Sequence, residues 1–440
     1  MHKLVEILIA IIMIGIVIVV HEFGHFLLAK VNGVVVKEFS VGMGPRLLSK
    51  KIKGTIYSLK LLPFGGSCQM LGEIEGEDEG AEGSFGSKSV WKRISIIIAG
   101  PLFNFLLAFV LSLVILNIIG YDRCFVYDVS EEVAEATGLQ EDDVIVKYQG
   151  HNIRVGRELS MYEMLDGISS KDITITYVRD GKKYTKTYSP LKDARYYIGI
   201  RYQLNGDLAG NGPMTLTEVV KNGAAAKAGL QKDDVIVGIN GTAVANVDEF
   251  VAYTEEYPFS NEEITIEYER NGSRYTTKLV PKFDEVYSLG FNYTVNYREK
   301  IGFFKSLKYG RVEVEYWIKS VIKSLGYMLR GKASADDLGG PVRVVSEMTN
   351  VMDTSYKSDG LLYAFLNLLN WTILLSANLG VMNLLPIPAL DGGRLLIYII
   401  EVIRGKKMKP EHEGMINFIG FVLLMILMVF ILFNDIRNVF

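Results

Sequence analysis

Four long apolar stretches constrain the fold of this 440-residue chain more than any other feature of its sequence. They run roughly over residues 4–29, 94–121, 361–390 and 414–434, and the last three contain no charged residue. A helix needs about 20 mainly apolar residues to cross a bilayer. The sequence therefore predicts a multi-pass α-helical membrane protein with four transmembrane helices.

Basic residues predict which way these helices run. The connections over residues 30–93 and 392–413 are rich in Lys and Arg, and such loops stay on the cytoplasmic side. Both termini and the long segment 122–360 are then extracytoplasmic. The first stretch is predicted to be retained as a helix, because no small-residue cleavage site follows it.

Net charge and cysteine content exclude some alternatives. The formal net charge is −3 and the pI is about 6.1, so no general basic surface is available to bind nucleic acid. The only two cysteines, Cys68 and Cys124, are predicted on opposite sides of the membrane and cannot pair. They therefore do not indicate the redox compartment.

An internal repeat occupies the extracytoplasmic segment. Residues 138–146 recur at 229–237 with eight of nine identities, and the same offset of 91 aligns 173–190 with 264–281. A constant offset across two separate blocks indicates a duplicated domain. Short alternating segments with Gly and Asn turns predict β-strands, so we expect two β-rich domains over about 122–200 and 201–300.

Residues 225–241 of the second repeat resemble PDZ domains of envelope proteases. A PDZ fold can bind a chain end by adding it as a strand to an exposed sheet edge. Alternatively, the two domains bind no peptide and only restrict access to the active site. The sequence leaves both alternatives open.

The basic stretch 301–332 carries apolar residues, such as Trp317 and Val321, at helical spacing. This pattern predicts an amphipathic helix. The helix either lies on the outer membrane surface or packs on the soluble domain.

The first apolar stretch ends in His21-Glu22-Phe23-Gly24-His25. Histidines four residues apart lie on one face of a helix, where both can bind one Zn²⁺. Glu22 is then placed to take a proton from the attacking water. Ionisable groups within a membrane helix cost roughly 2.5–3.5 kcal/mol on insertion scales, so simple capping of the helix end explains them less well.

A catalytic zinc needs a third protein ligand at the same depth. Asp391 ends the third apolar stretch on the predicted cytoplasmic side, as do His21 and His25 in the first. Pro386 and Pro388 interrupt the helix before it, and irregular backbone at this depth indicates a buried or cavity-lining segment. In the alternative, Asp391 is a helix-end acid that pairs with Arg394.

Two further features lie near this predicted site. Asn378 and Asn383 either hold the backbone of an unwound substrate or bond across helices, and the residues alone favour the second. Residues 34–71 alternate like strands, so a small sheet there either offers an edge to an extended substrate or serves as a scaffold.

These motifs together resemble the site-2 protease family of intramembrane zinc metalloproteases. The resemblance rests on His21–His25, the PDZ-like repeats and the segment Asn383–Gly392, and is strongest to the regulator-of-sigma-E protease branch with two PDZ domains. It implies a membrane-associated β-hairpin region and two inserted extracytoplasmic PDZ domains. It also implies zinc ligands (His21, His25, Asp391), a catalytic base (Glu22) and residues that handle substrate (Asn378, Asn383, Gly65, Gly66).

The resemblance further implies regulated intramembrane proteolysis in the cell membrane. Its substrates would be pre-trimmed single-span proteins such as anti-sigma factors, and remnant signal peptides. Two other functions fit parts of the sequence: a membrane adaptor with a structural zinc closed by four ligands, and an ion transporter. A transporter is disfavoured because the four stretches show no inverted repeat.

The predicted organisation can be given by residue ranges. It comprises helix 1 (1–30), a cytoplasmic-side β-hairpin region (31–93), helix 2 (94–121), PDZ domain 1 (122–200), PDZ domain 2 (201–300), an amphipathic helix and linker (301–360), helix 3 (361–391), a cytoplasmic loop (392–413) and helix 4 (414–434).

Overall fold

The computed structural model describes residues 3–73, 81–202, 212–295, 298–331, 339–408 and 410–439. The linker predicted after the amphipathic helix lies partly outside these residues. The chain divides into two compact units. The helical unit is Met1–Cys124, Ile153–Leu165 and Thr294–Phe440, and the strand unit is Phe125–Asn152 and Asp166–Tyr293.

Helices dominate the helical unit, and the strand unit contains only short ones. In chain order they are α1 (Lys3–Val31), α2 (Val90–Ile119), α3 (Glu131–Thr137), α4 (Gly156–Asp166), α5 (Ala224–Lys227), α6 (Val247–Glu256), α7 (Phe303–Leu329), α8 (Pro341–Leu384), α9 (Asp391–Arg404) and α10 (Pro410–Val439).

Four of the described helices are long and apolar enough to cross a membrane, which agrees with the number predicted from sequence. They are α1, α2, α8 and most of α10. Helix α8 is broken at Gly360, where φ is 82°, so its second half begins where the third apolar stretch begins. It ends at Leu384 rather than at residue 390, because Pro386 and Pro388 disfavour helix at the residues before them.

Helices α1, α2 and α8 pack together, and small residues let them approach closely. A Cβ atom added to Gly24 of α1 would lie 2.3 Å from the carbonyl oxygen of Ala99 in α2. A Cβ atom on Gly380 of α8 would lie 2.7 Å from the ring of Phe105 in α2. Such contacts are typical of packed membrane helices.

Between α1 and α2 the chain forms one antiparallel sheet from two bent strands, β1 (Val36–Ile52) and β2 (Thr55–Met70). Because both strands bend, the first part of β1 lies between two parts of β2. Glu38, for example, faces Gln69 in one part and Ile56 in the other. The segments therefore lie in the order 46–52, 55–60, 36–43 and 66–70. The segment 66–70, which we name the edge segment, pairs through β1 on one side only.

The remaining strands are short. They are β3 (Tyr121–Asp122), β4 (Val126–Val129), β5 (Val144–Tyr148), β6 (His151–Asn152), β7 (Ile173–Arg179), β8 (Lys182–Tyr188), β9 (Leu191–Tyr197), β10 (Ile200–Tyr202), β11 (Met214–Val219), β12 (Val235–Ile239), β13 (Thr242–Ala243), β14 (Ile264–Arg270), β15 (Ser273–Leu279), β16 (Lys282–Ser288), β17 (Phe291–Tyr293) and β18 (Arg298–Glu299).

The two repeats of the strand unit exchange strands. Strand β10 follows the first repeat but pairs with β11 of the second, and β17 follows the second repeat but pairs with β4 of the first. Equivalent strands β9 and β16 also pair, and Ala194 faces Glu285, its counterpart at the offset of 91. The repeats are therefore linked through a local pseudo-twofold arrangement.

Each repeat also contains the same buried ion pair. Asp143 and Asp234 are almost fully buried. Asp143 accepts hydrogen bonds from Arg179, the last residue of β7. Asp234 accepts them from Arg270, the last residue of the equivalent strand β14. The paired arginines compensate the cost of burying these carboxylates.

The predicted amphipathic helix is present as α7, and it packs within the helical unit. Its Gly310 lies against Phe109 and Leu113 of α2. Ion pairs connect it to α4 and to the residues just before α4, because Arg157 of α4 bonds Glu313 at 2.6 Å and Arg154 bonds Glu315. These contacts fasten α4 to α7.

Candidate metal centre

Three side chains converge where α1 meets the start of α9. The Nε2 atoms of His21 and His25 lie 3.2 Å apart. The Oδ2 atom of Asp391 lies 3.1 Å from the first and 3.3 Å from the second. Both histidines are buried, with 6% and 7% of their surface exposed. Helical spacing brings the histidines together, and the break after α8 brings the aspartate to them.

Hydrogen bonds on the far side of each ring fix its orientation. The Nδ1–H group of His25 donates to the carbonyl oxygen of Ile96 at 2.8 Å, which leaves Nε2 as a lone pair. Nδ1 of His21 lies 3.2 Å from the amide of Asn104, which is fully buried and whose Oδ1 has no hydrogen-bond partner among the described residues. When the Asn104 amide is turned over, its Oδ1 accepts a hydrogen bond from the Nδ1–H group of His21. The Nε2 atom of His21 then also presents a lone pair.

The donor set fits a zinc ion. Two imidazole lone pairs and a carboxylate oxygen would repel one another unless a cation lay between them. Zinc bonds of about 2.0–2.1 Å give a tetrahedron with edges of about 3.3–3.4 Å, close to the three separations given above. Within the described part of the chain, the convergent group has three members, and Cys68 is not among them. Three protein ligands are typical of catalytic rather than structural zinc.

Glycines leave space for this cluster. A Cβ atom on Gly100 would lie 2.4 Å from Nε2 of His25. A Cβ atom on Gly392 would lie 2.2 Å from the carbonyl oxygen of Leu385, so the segment before α9 folds tightly over the helix start. Ala389, two residues before the aspartate, has φ of 71°, which is rare for a residue other than glycine.

Glu22 connects the cluster to the edge segment. Its Oε2 atom accepts a hydrogen bond from the backbone N–H of Cys68 at 3.0 Å. A Cβ atom on Gly66 would lie 3.4 Å from Cγ of Glu22, whereas Gly65 has φ of 88° and packs against Met43. Burial raises the pKa of the Cys68 thiol, and the charge of Glu22 raises it further.

A cavity of about 360 Å³ opens beside these groups, and we name it the catalytic cavity. Asn383 lines it together with His21, Glu22 and His25. Asn378 instead lines an apolar cavity of about 310 Å³. The structure thus brings Asn383 to the candidate centre and leaves Asn378 outside the catalytic cavity.

Sequence reasoning missed several contacts at this centre. Arg394 bonds Glu73 at 2.8 Å, rather than pairing with the aspartate. The contact between Asn104 and His21 was not predicted, although a polar residue near Gly100 and Pro101 in an apolar stretch without charges is unusual. The contact from Cys68 is made by its backbone, and no sequence signal reports that.

The fold and the centre define a class: helical proteins with candidate membrane spans, a three-ligand zinc-type site and a carboxylate beside it. The chain matches the model of peptidase family M50 over residues 9–427, and it belongs to that family. It is 31% identical to zinc metalloprotease RasP of Geobacillus kaustophilus, over 98% of this chain and 97% of the relative. It is 30% identical to RasP of Shouchella clausii, over 97% of each chain.

Among solved structures, one similar region is the PDZ domain of HtrA3 bound to a phage-derived ligand. It covers 22% of this chain and 93% of that domain, with 19% identity and a TM-score of 0.18. The assignment of two PDZ domains therefore stays a prediction.

The family predicted from sequence is confirmed, and with it the activity class and cofactor. The chain is a zinc metalloprotease of the site-2 protease family and a membrane protein. This excludes the adaptor and the transporter as its main function. The roles of individual residues stay predictions.

Proposed function

We propose that this protease cuts the membrane-spanning segment of pre-trimmed single-span proteins, such as anti-sigma factors, and of remnant signal peptides. The observation that carries the proposal is the convergence of His21, His25 and Asp391 beside Glu22. Two of these ligands and the base lie on a helix apolar enough to cross a membrane.

The chain's own residues supply binding and proton transfer. His21, His25 and Asp391 would hold zinc, and Glu22 takes a proton from the attacking water and returns it to the leaving amine. A bound zinc ion acidifies the attacking water and polarises the scissile carbonyl. Three protein ligands, rather than four, would leave room at a bound zinc ion for water or substrate.

The substrate is proposed to bind as an extended strand along the edge segment. Peptide bonds within a helix are shielded by their own hydrogen bonds, so a membrane helix must unwind before cleavage. The edge segment pairs on one side only, and its Cys68 N–H already points to Glu22. A strand added here lies in the catalytic cavity, where Asn383 can bond its backbone.

Replacing Glu22 by Gln tests the proposal. We expect full zinc content and loss of cleavage of a single-span substrate in proteoliposomes, because Gln cannot accept the proton. Zinc is measured by metal analysis and cleavage by mass spectrometry. Asp391→Asn should instead lower the zinc content. Normal cleavage by the Glu22→Gln protein would contradict the proposal.

The second repeat is proposed to bind an apolar chain end left by trimming. A cavity of about 350 Å³ lies between β10 and α6, lined by Ile198, Ile200 and Phe250. We expect a peptide with an apolar end and a free carboxylate to bind, and Ile200→Asp to weaken binding at least about tenfold. Fluorescence anisotropy with an amidated control peptide measures this. No binding by the unmodified protein would favour the access-restricting role instead.

A further inference from the structure

Glu73 joins two elements of the catalytic cavity through a single carboxylate. Its Oε2 atom accepts a hydrogen bond from the backbone N–H of Met70, the last residue of the edge segment, at 3.2 Å. Its Oε1 atom accepts from Nη1 of Arg394 on α9 at 2.8 Å. The two side chains are largely shielded, with 22% and 27% exposed. Charge-assisted bonds of this kind are stronger and more directional than neutral ones.

Arg394 and Met70, the two residues that Glu73 connects, each lie close to a proposed catalytic group. Arg394 lies one turn after Asp391 on α9, and both line the catalytic cavity with Glu73. Met70 lies two residues after Cys68, whose N–H donates to Glu22. The Glu73–Arg394 pair therefore links the strand that would hold substrate to the helix that presents the third zinc ligand.

The edge segment and α9 share a buried apolar cluster that includes Met70 and Ile397, and the Glu73–Arg394 pair adds a polar contact between them at the catalytic cavity. The edge segment ends at Met70, whose N–H donates to Glu73, and no other described strand pairs with its outer side. Helix α9 follows the non-helical residues 385–390. A charge-assisted hydrogen bond fixes a distance more specifically than apolar packing does, so this pair would set the spacing that a substrate meets when it binds between strand and helix.

We propose that Glu73 and Arg394 are positioning residues that set the distance between the edge segment and the zinc-ligand helix. This inference rests on the proposed function, because it assumes that substrate binds along the edge segment. The pair does not touch the scissile bond. It acts by placing the strand so that a bound substrate lies against Glu22 and the zinc ligands.

The test compares Glu73→Gln, Arg394→Gln and the double variant in proteoliposomes with a single-span substrate. We expect each single change to raise KM roughly tenfold, with kcat within about threefold and zinc content unchanged, because the chemical groups are intact once substrate is bound. The double variant should be no worse than either single one, because both changes break one contact.

Glu401→Gln is the matched control. It breaks the buried pair between Glu401 of α9 and Arg93 of α2, which lies outside the catalytic cavity. We expect its KM to stay within about twofold, because neither partner lines the catalytic cavity, although loss of this buried pair should lower Tm. An equal rise in this control would overturn the inference, because any ion pair on α9 would then have the same effect.

Other outcomes are also decisive. A lower KM in Glu73→Gln would mean that the carboxylate blocks the strand edge, and loss of zinc would mean a general structural role. Losses that multiply in the double variant would show that the two residues act separately. If the unmodified protein cleaves, Glu22→Gln does not, and the Glu73 variants keep a normal KM, only the positioning role fails.

Discussion

Asn104 shows how one buried amide can decide whether a histidine is available to a metal. The side chain lies on α2 within the uncharged stretch 94–121, and 3.2 Å from Nδ1 of His21. Its backbone carbonyl is held in turn by the hydroxyl of Ser376 on α8, at 2.8 Å. A ligand histidine commonly donates its second N–H to such a partner, which raises its basicity and fixes its ring.

Replacing Asn104 by Ala should weaken zinc binding about 10- to 100-fold, because the His21 ring loses its orienting partner. Zinc retained after dialysis against graded chelator concentrations measures the change. Ser112→Ala is the control, since Ser112 is equally buried on α2 but bonds only Ala108. Equal zinc retention in both variants would remove Asn104 from the site.

The convergence of the candidate ligand residues could be predicted from sequence, and the contacts that support them could not. His21, Glu22 and His25 are close in the chain, and helical geometry alone places them together. Asp391 was predicted because prolines interrupt an apolar stretch just before it. The carbonyl of Ile96 and the amide of Asn104 reach the histidines only because Gly24 lets α1 and α2 approach closely. That contact depends on tertiary packing, which no local pattern reports.

Among the helices, the junction of α4 and α7 carries a cluster of paired charges within the helical unit. Arg157 lies between Asp122 and Glu313, and its guanidinium stacks over Tyr316. Nearby, Arg154 bonds both Glu158 and Glu315. The hydrogen bond from Arg154 is the main reason that the pKa of Glu315 lies below its usual value.

This junction should lose stability in acid. The unfolded chain binds a proton at Glu315 near pH 4.3, whereas the folded chain does so only at lower pH. The stabilisation is therefore complete above about pH 4.3 and is lost as pH falls through the folded pKa. Glu315→Gln should lower Tm at pH 7, and the difference from the unmodified protein should shrink below about pH 4.

Melting curves in detergent from pH 7 to pH 3.5 measure this difference. Glu263→Gln is the control, because it removes an exposed pair with Lys278 that should contribute little. A Tm difference for Glu315→Gln that stays constant over the whole range would contradict the assignment.

Strand existence was easier to predict than strand pairing. The repeat and its turns indicated two β-rich regions, and Asn271-Gly272 forms the expected turn with positive φ at both residues. The exchange of β10 and β17 between repeats was not predicted, nor was the double pairing of β1 and β2. Alternation in sequence identifies a strand's two faces but not which distant strand it joins.

For the protein as a whole, the distribution of basic residues argues for one orientation in the membrane. The connections that follow α1 and α9 carry most of the Lys and Arg near the candidate spans. Short basic connections stay on the cytoplasmic side. The candidate zinc centre lies late in α1 and at the start of α9, so we predict that proteolysis occurs near the cytoplasmic face and that the repeats lie outside.

Single introduced cysteines test that orientation on intact cells. The native Cys68 and Cys124 are buried, so their background reaction with a membrane-impermeant maleimide should be small. Lys183 of β8 and Lys406 after α9 are both exposed. Lys183→Cys should react from outside, and Lys406→Cys only after permeabilisation, because the bilayer separates the reagent from the basic connection. The reverse pattern would invert the topology and place the zinc centre near the outer face.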